Sequence, residues 1–275
     1  MSTLSSSTPM IVSSLSSALS SPATPARELN AALGCFTSFL LAGQFAHPEL
    51  TTLYPLLLPH LSNAETVINA CSAVEELVER SSGLSGSVGV TRFIGRQKTE
   101  ELVVGWATSD WVRNVVAEAV ESEEADDEAL AVMKLVCAIT EHFISFLFSP
   151  APKAAASLGQ PAHLTLSSPP TIALLHLILS ITHFPGHSQE VYNINELTSG
   201  VWMALQEESS DVGLVSGEGE GREGRDGHEH EWEVVKGVFG ALAEGLRKRA
   251  ERPTKGIVAT WPKGEACTDS PPLQS

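Results

Sequence analysis

The sequence predicts an all-α protein, an α-solenoid of antiparallel helix pairs with disordered loop insertions. Three observations lead there. Apolar residues recur at helical spacing through most of the chain, no run alternates apolar and polar residues as a strand would, and Pro-, Gly- or Ser-rich stretches separate the periodic segments. The chain has 275 residues, enough to bury one or two ordinary cores, and 43% of them are hydrophobic. Aromatic residues are sparse while Ala, Leu, Val and Ser are plentiful, a balance that favours helices packed on helices.

The elements follow in order. Residues 1–24 form a Ser-rich N-terminal segment, expected to be partly disordered, in which Met10 to Leu19 carries a helical spacing. Pro25 to Ala42 is a clearer helix, with Thr24 placed to cap it, Leu29, Ala32, Leu33, Phe36, Phe39 and Leu40 inward, and Gly43 at its end. His47 to Leu61 is the next, kinked by Pro55, with Pro59 near its end. Asn63 caps Ala64 to Arg80, whose stripe is Val67, Ile68, Cys71, Val74, Leu77 and Val78. A Gly/Ser-rich loop over about 81–95 leads to a single helix from Arg96 to Glu121. Ala129 to Phe148 is apolar around most of its surface and is expected to be well buried.

A Pro/Ala/Ser-rich insertion covers 149–168. Thr171 to Thr182 and about Asn195 to Glu208 form a helix pair around a break at Pro185-Gly186. Residues 209–228 are a low-complexity Gly/Glu insertion, expected to be disordered. The last helix, His230 to Arg249, places Trp232, Val235, Val238, Phe239, Leu242 and Leu246 inward, and 253–275 is a tail without periodicity. The helical region is thus 25–252. Repeated helix pairs that tolerate insertions between them point to HEAT-type stacking, with a compact helical bundle as the rival fold. In a stack the end helices, Pro25 to Ala42 and His230 to Arg249, are expected to be less protected than Ala129 to Phe148.

Charge and chemistry narrow the function. There are 33 acidic and 17 basic residues, a formal charge of −16. This argues against direct binding of nucleic acid and suits a basic protein partner, although acidity also serves plain solubility. Cys35, Cys71, Cys137 and Cys267 lie far apart with no CxxC pair, and read as free thiols of a reducing compartment. The N-terminus lacks the basic region of a signal peptide, and the longest apolar run, Ile172 to Ile181, falls short of the ~20 residues of a membrane span. A soluble, intracellular, monomeric protein is expected.

The densest candidate site is the acidic connector of Glu118, Glu121, Glu123, Glu124, Asp126, Asp127 and Glu128, read either as a surface for a basic partner or as a solvated connector. His228 and His230 flank Glu229 and Glu231 beside the Gly/Glu insertion, a poor metal site without a fixed second shell. Glu141-His142 and His176 read as helix-packing residues, since no nucleophile motif accompanies them. Trp106, Trp202 and Trp232 read as core. No GxGxxG, Walker or HExxH pattern occurs, so no enzyme activity, cofactor or metal is expected.

One block is more specific. Phe184-Pro185-Gly186-His187, followed by Leu197-Thr198 and by Trp202-Met203-Ala204-Leu205-Gln206-Glu207-Glu208, resembles the central repeats of the importin-β superfamily, in the branch of transportin-SR and importin thirteen. Leu56 to Leu61, Leu135 to Phe148 and Trp232 to Pro253 also resemble helices of that family, so the likeness covers about 27–255. Ser188-Gln189 stands where the family has Tyr-Pro, and Val201-Trp202-Met203 where it has Phe-Trp-Tyr. The family's members are several times longer, so the resemblance implies a central fragment of a karyopherin. It further implies a nuclear transport receptor that shuttles between nucleus and cytoplasm, holding basic protein cargo under control of Ran-GTP. Phe184, Pro185, Gly186, Trp202, Leu205 and Gln206 would be structural residues of the motif.

Overall fold

Some helix ends in this protein fall where a side chain or a glycine satisfies the backbone groups that a helix leaves open, as at Gly43, Ser109 and Asp126. The structure is a computed structural model that describes residues 7–81, 93–148, 163–185, 194–211 and 229–251. Among these residues the regular structure is all helical, with no strand. The Ser-rich start contains α1 (Thr8–Ser20), which buries Leu15 and Leu19 and so belongs to the packed body. His60 Nε2–H donates to Leu19 O at 3.2 Å, tying the end of α1 to a later turn. The expectation that the helical region begins at 25 is therefore corrected. The apolar positions of α1, spaced at helical period, outweigh the local turn preference of its serines.

Helix α2 (Ala26–Leu41) starts one residue later than the sequence suggests: Pro25 is its extended N-cap residue, and Thr24 does not cap it. Its end is a Schellman turn. Gly43 takes φ +64°, its N–H donates to Leu40 O at 2.9 Å, and Gln44 N–H donates to Phe39 O at 3.0 Å. Phe36 stacks on Phe45 with ring centroids 5.3 Å apart. Helix α3 (His47–Leu57) is held at its start by Glu49, whose carboxylate accepts from Ala46 N–H at 3.1 Å. It tightens into a 3₁₀ turn at Leu58–Ser62, where Pro59 cannot donate to the α ladder.

Asn63 Oδ1 accepts from Glu65 N–H, forming the turn that opens α4 (Val67–Ser81). The stripe of α4 is as expected except that Ile68 is 46% exposed and Ala70 and Ala73 face inward in its place. Phe93 and Ile94, the exit of the predicted loop, are buried. The single helix expected over Arg96 to Glu121 is instead α5 (Arg96–Leu102), a π segment Val103–Ala107, and α6 (Asp110–Ser122). Ser109 caps α6 by accepting from Val112 N–H, a Ser-Asp start signal that ended the previous helix. The π turn rotates Trp106 inward, where its Nε1–H donates to Leu61 O at 3.2 Å.

Helix α7 (Asp127–Leu147) is the centre of the molecule: α4, α5, α6, α8 and α9 all pack on it. It is the one described helix long and apolar enough to cross a membrane, and 56% of its apolar window is buried inside the protein, as in a core helix. Residues 163–168, expected as free insertion, are anchored by Glu100, whose carboxylate accepts from Leu164 N–H at 3.1 Å and from His163 Nδ1–H at 3.0 Å. Helix α8 (Pro169–Thr182) runs to the corner at Phe184. A helical turn over 194–197 then enters α9 (Ser199–Asp211). Helix α10 (Glu229–Glu251) buries only Val235 and Val238 fully; Trp232, Phe239 and Leu242 are half-buried and Leu246 is 49% exposed, so its predicted inward stripe is corrected.

Packing follows a regular order. Helix α2 lies on α4, α4 on α7 and α7 on α9, while α1 lies on α3, α6 on α8 and α8 on α10. Cross-links join α1 to α2, α3 to α4, and α5, α6 and α8 to α7. Fully buried leucines and phenylalanines such as Leu33, Phe36, Leu53, Phe143 and Phe184 each contribute about 1.5–3 kcal/mol of burial. Helix α10, at one end of this order, is half-exposed, but α2 is not, because α1 covers it. Cys71 and Cys137 are buried free thiols, pushed well above the usual range first by burial and then by neighbouring glutamates; Cys35 is half-buried. Cys267 and the tail lie outside the described residues.

Candidate acidic cleft and the α8–α9 corner

The acidic stretch is two helix ends and a tight turn. Glu118 and Glu121 ride the last turns of α6, and no basic residue accompanies them there. Carboxylates at a helix C-terminus meet the negative end of its dipole, where a cation is the stabilising partner. Glu123 ends the helix in the left-handed conformation, φ 59°, and Ser122 Oγ–H is shared between Ala119 O and Glu124 O at 3.2 and 3.1 Å. Asp126 is committed to structure: its carboxylate caps α7 by accepting from Ala129 N–H at 2.8 Å. Asp127 and Glu128 occupy the first turn of α7, where negative charge is favourable.

The fold gathers five of these seven residues. Glu118, Glu123, Glu124, Asp126 and Glu128 line a cleft of about 700 Å³ whose apolar wall is Val115, Ala119, Ala129, Phe184 and Ile194. Glu121 instead borders a groove between α6 and α8 that Arg113 of α6 and His176 of α8 also line, and Asp127 borders neither. Among the described residues, no lysine or arginine lines the acidic cleft. Partial burial, reinforced by Asp126, raises the Glu128 carboxyl above its ordinary range.

The corner beside the cleft is a packing device. Phe184 is buried, and its backbone N–H donates to Ile181 O. Trp202 Nε1–H donates to Thr182 Oγ1 at 2.9 Å, and Thr182 Oγ1–H donates to Ile178 O at 2.8 Å. The two helices are thereby locked through side chains that are both buried. Trp202 also leans on Phe239 of α10, centroids 6.4 Å apart. Leu205 is fully buried, Gln206 and Met203 are exposed, and Gly186 lies outside the described residues.

Glu141 and His142 do not form an acid/base pair, since adjacent residues on a helix face different ways. Glu141 is exposed. His142 is buried, with Nε2–H donating to Ile94 O at 2.7 Å and burial lowering its basicity. His176, expected in helix packing, is exposed at the α6–α8 groove, which corrects that reading. His228 and the side chain of His230 lie outside the described residues.

Sequence reading missed a second acidic strip. Glu75 is raised by burial and then by Glu79; Glu79 is raised by burial, then by Glu76 and by Glu141 across on α7. The spacing of Glu75 and Glu79 is visible in the sequence, but the approach of Glu79 to Glu141 requires the α4–α7 contact. Gly200 was missed too: α9 packs on α7 there so that a side chain at Gly200 would meet the end of the exposed Glu141 carboxylate, which would have to swing aside. Among the described residues no group of three or more His, Cys, Asp and Glu could hold a metal ion. No protein-family model matches the chain, and no curated protein matches it.

Proposed function

We propose that the chain is a HEAT-type α-solenoid that binds protein partners, and that it works as a nuclear transport receptor of the importin-β kind or as a central part of one. The packing order carries the scaffold reading: α2, α4, α7 and α9 lie against one another in succession, as do α1 with α3 and α8 with α10. In a stack each helix pair touches only its neighbours, and such a body changes curvature through small shifts spread over many pairs. The transport reading is supported by the resemblance of Phe184-Pro185 and of Trp202 to Glu208 to the family's corner, together with the −16 charge that suits basic cargo. In this reading cargo and Ran-GTP compete through a shared deformation of the stack, the protein shuttles between nucleus and cytoplasm, and no residue has a catalytic role.

The experiment is a pull-down of basic nuclear proteins on the recombinant chain, with and without Ran-GTP. Retained proteins that Ran-GTP releases are the expected result. Retention indifferent to Ran-GTP overturns the transport role and leaves a HEAT scaffold outside transport, which the same packing order supports. Failure to retain any protein overturns both.

A further inference from the structure

The groove between α6 and α8 is about 660 Å³ in volume and mostly apolar. Each side of it is a helical ridge: Val116 and Val120 on α6, and Ile172, Ala173 and Leu177 on α8, recur at the spacing that puts them on one face. Val116 and Leu177 are buried and form the floor, while Val120, Ile172 and Ala173 are half-buried and form the walls. Two of its polar groups are engaged within their own helices. Arg113 pairs with Asp110, and Ser180 Oγ–H donates to His176 O at 3.1 Å. Glu121 differs. It stands exposed in the last turn of α6, which holds no basic residue, and it has no partner among the described residues.

We propose that this groove is a docking surface for an amphipathic helix of a partner protein, apolar on the side it buries and carrying Lys or Arg where it crosses Glu121. Shape selects a helix. From Arg113 to Glu121 the groove follows α6 for about 12 Å, and from Pro169 to Ser180 it follows α8 for about 16 Å, which is two to three helical turns. In mid-helix the backbone groups of α6 and α8 are bonded within their own helices, so the walls offer side chains only. An extended peptide laid there leaves its own N–H and C=O groups against apolar surface with no partner. A helix arrives with its backbone satisfied, and its residues at i, i+3, i+4 and i+7 fit the trough between two helical ridges. Charge selects the sign. Glu121 lies at the negative end of the α6 dipole, where a cation is the stabilising partner, and the −16 charge of the chain attracts a basic segment. An acidic helix finds no free guanidinium, because Arg113 already holds Asp110. This surface is separate from the acidic cleft, which Glu121 does not line, and it does not depend on a role in transport.

The probe is a fluorescein-labelled helical peptide of about 14 residues, with leucines at i, i+3, i+4 and i+7 and lysines at one end, titrated into the full chain and followed by fluorescence anisotropy. It is expected to bind at least about tenfold tighter than a peptide of the same composition whose leucines are spread around the helix. Ala173→Arg fills the groove and Ala117→Arg obstructs its exposed edge; arginine is a strong helix former, so both variants are expected to keep their far-UV circular dichroism. Each is expected to weaken binding about tenfold, and Glu121→Gln about threefold. E123Q/E124Q, in the acidic cleft, is expected to leave it unchanged. Absence of binding, equal binding of the reordered peptide, or binding that E123Q/E124Q removes and both arginine variants leave intact overturns the proposal. A dimer that Ala173→Arg or Ala117→Arg converts to monomer in analytical ultracentrifugation also overturns it, because the occupant is then a second copy of the chain. A chain that binds the peptide here yet releases nothing to Ran-GTP keeps the groove and loses the transport role.

Discussion

Thr182→Val is the sharpest test of how the corner is held. The substitution keeps the shape of the side chain and removes only Oγ1, which accepts from Trp202 Nε1–H at 2.9 Å. Thr182 and Trp202 are both buried, so no solvent replaces the lost acceptor. Leaving a buried donor unsatisfied costs about 1–3 kcal/mol. In a domain of this size each kcal/mol moves the midpoint by about 2–4 °C, so a fall of at least ~2 °C is expected. Trp202→Phe costs stability through lost contacts whichever residue stands at 182. Because phenylalanine has no N–H to orphan, Thr182→Val becomes cheap in its presence, and the two costs fall short of additive by about 1 kcal/mol or more. The assay is urea unfolding followed by far-UV circular dichroism for the wild type, both single variants and the double. A Thr182→Val cost within about 0.3 kcal/mol of zero, or costs that simply add, refutes the assignment of the hydrogen bond as the lock.

The two close glycines are expected to respond oppositely to alanine. At Gly245 the new methyl meets the His183 ring, so Gly245→Ala pushes α10 off α8 and raises amide hydrogen exchange along α10, at a cost of about 1–3 kcal/mol. At Gly200 the methyl meets only the end of the exposed Glu141 side chain, which can swing away, so Gly200→Ala is neutral or gains up to about 1 kcal/mol of helix propensity. Glu75→Gln tests the strip that the sequence did not reveal. The Glu75 carboxyl is raised in the folded state, so its contribution is fully present below the unfolded value of ~4.3 and is lost as pH climbs through the raised folded value. Glu75→Gln therefore raises the melting midpoint at neutral pH and leaves it unchanged near pH 4, measured by thermal denaturation across that range.

Much of the helical content was legible because helices are written in local, periodic signals. The stripe of α2, its stop at Gly43, the all-round apolar surface of α7 and the Asn63 turn each follow from residues within a few positions of one another. Where local signals competed, the reading slipped. Ser109-Asp110 divided one expected helix into two, and the serines around Met10 to Leu19, whose helical spacing was visible, hid that α1 belongs to the packed body. The seven carboxylates of the acidic stretch were visible from their density alone. Which five of them share a cleft, and that Phe184 and Ile194 form its wall, was not.

By itself the sequence determined that this protein is all-helical, that it is strongly acidic, and that its break at Pro185 separates two apolar helices. Those properties depend on residue type and spacing, and both are local. The tertiary structure alone decided that Trp202 hangs on Thr182, that Glu79 lies near Glu141, that Gly245 packs against His183, and that the acidic turn meets Phe184 and Ile194. Each of these pairs residues that are distant in sequence. Their meeting is set by how closely and in what order the helices pack, and no periodicity along the chain encodes that.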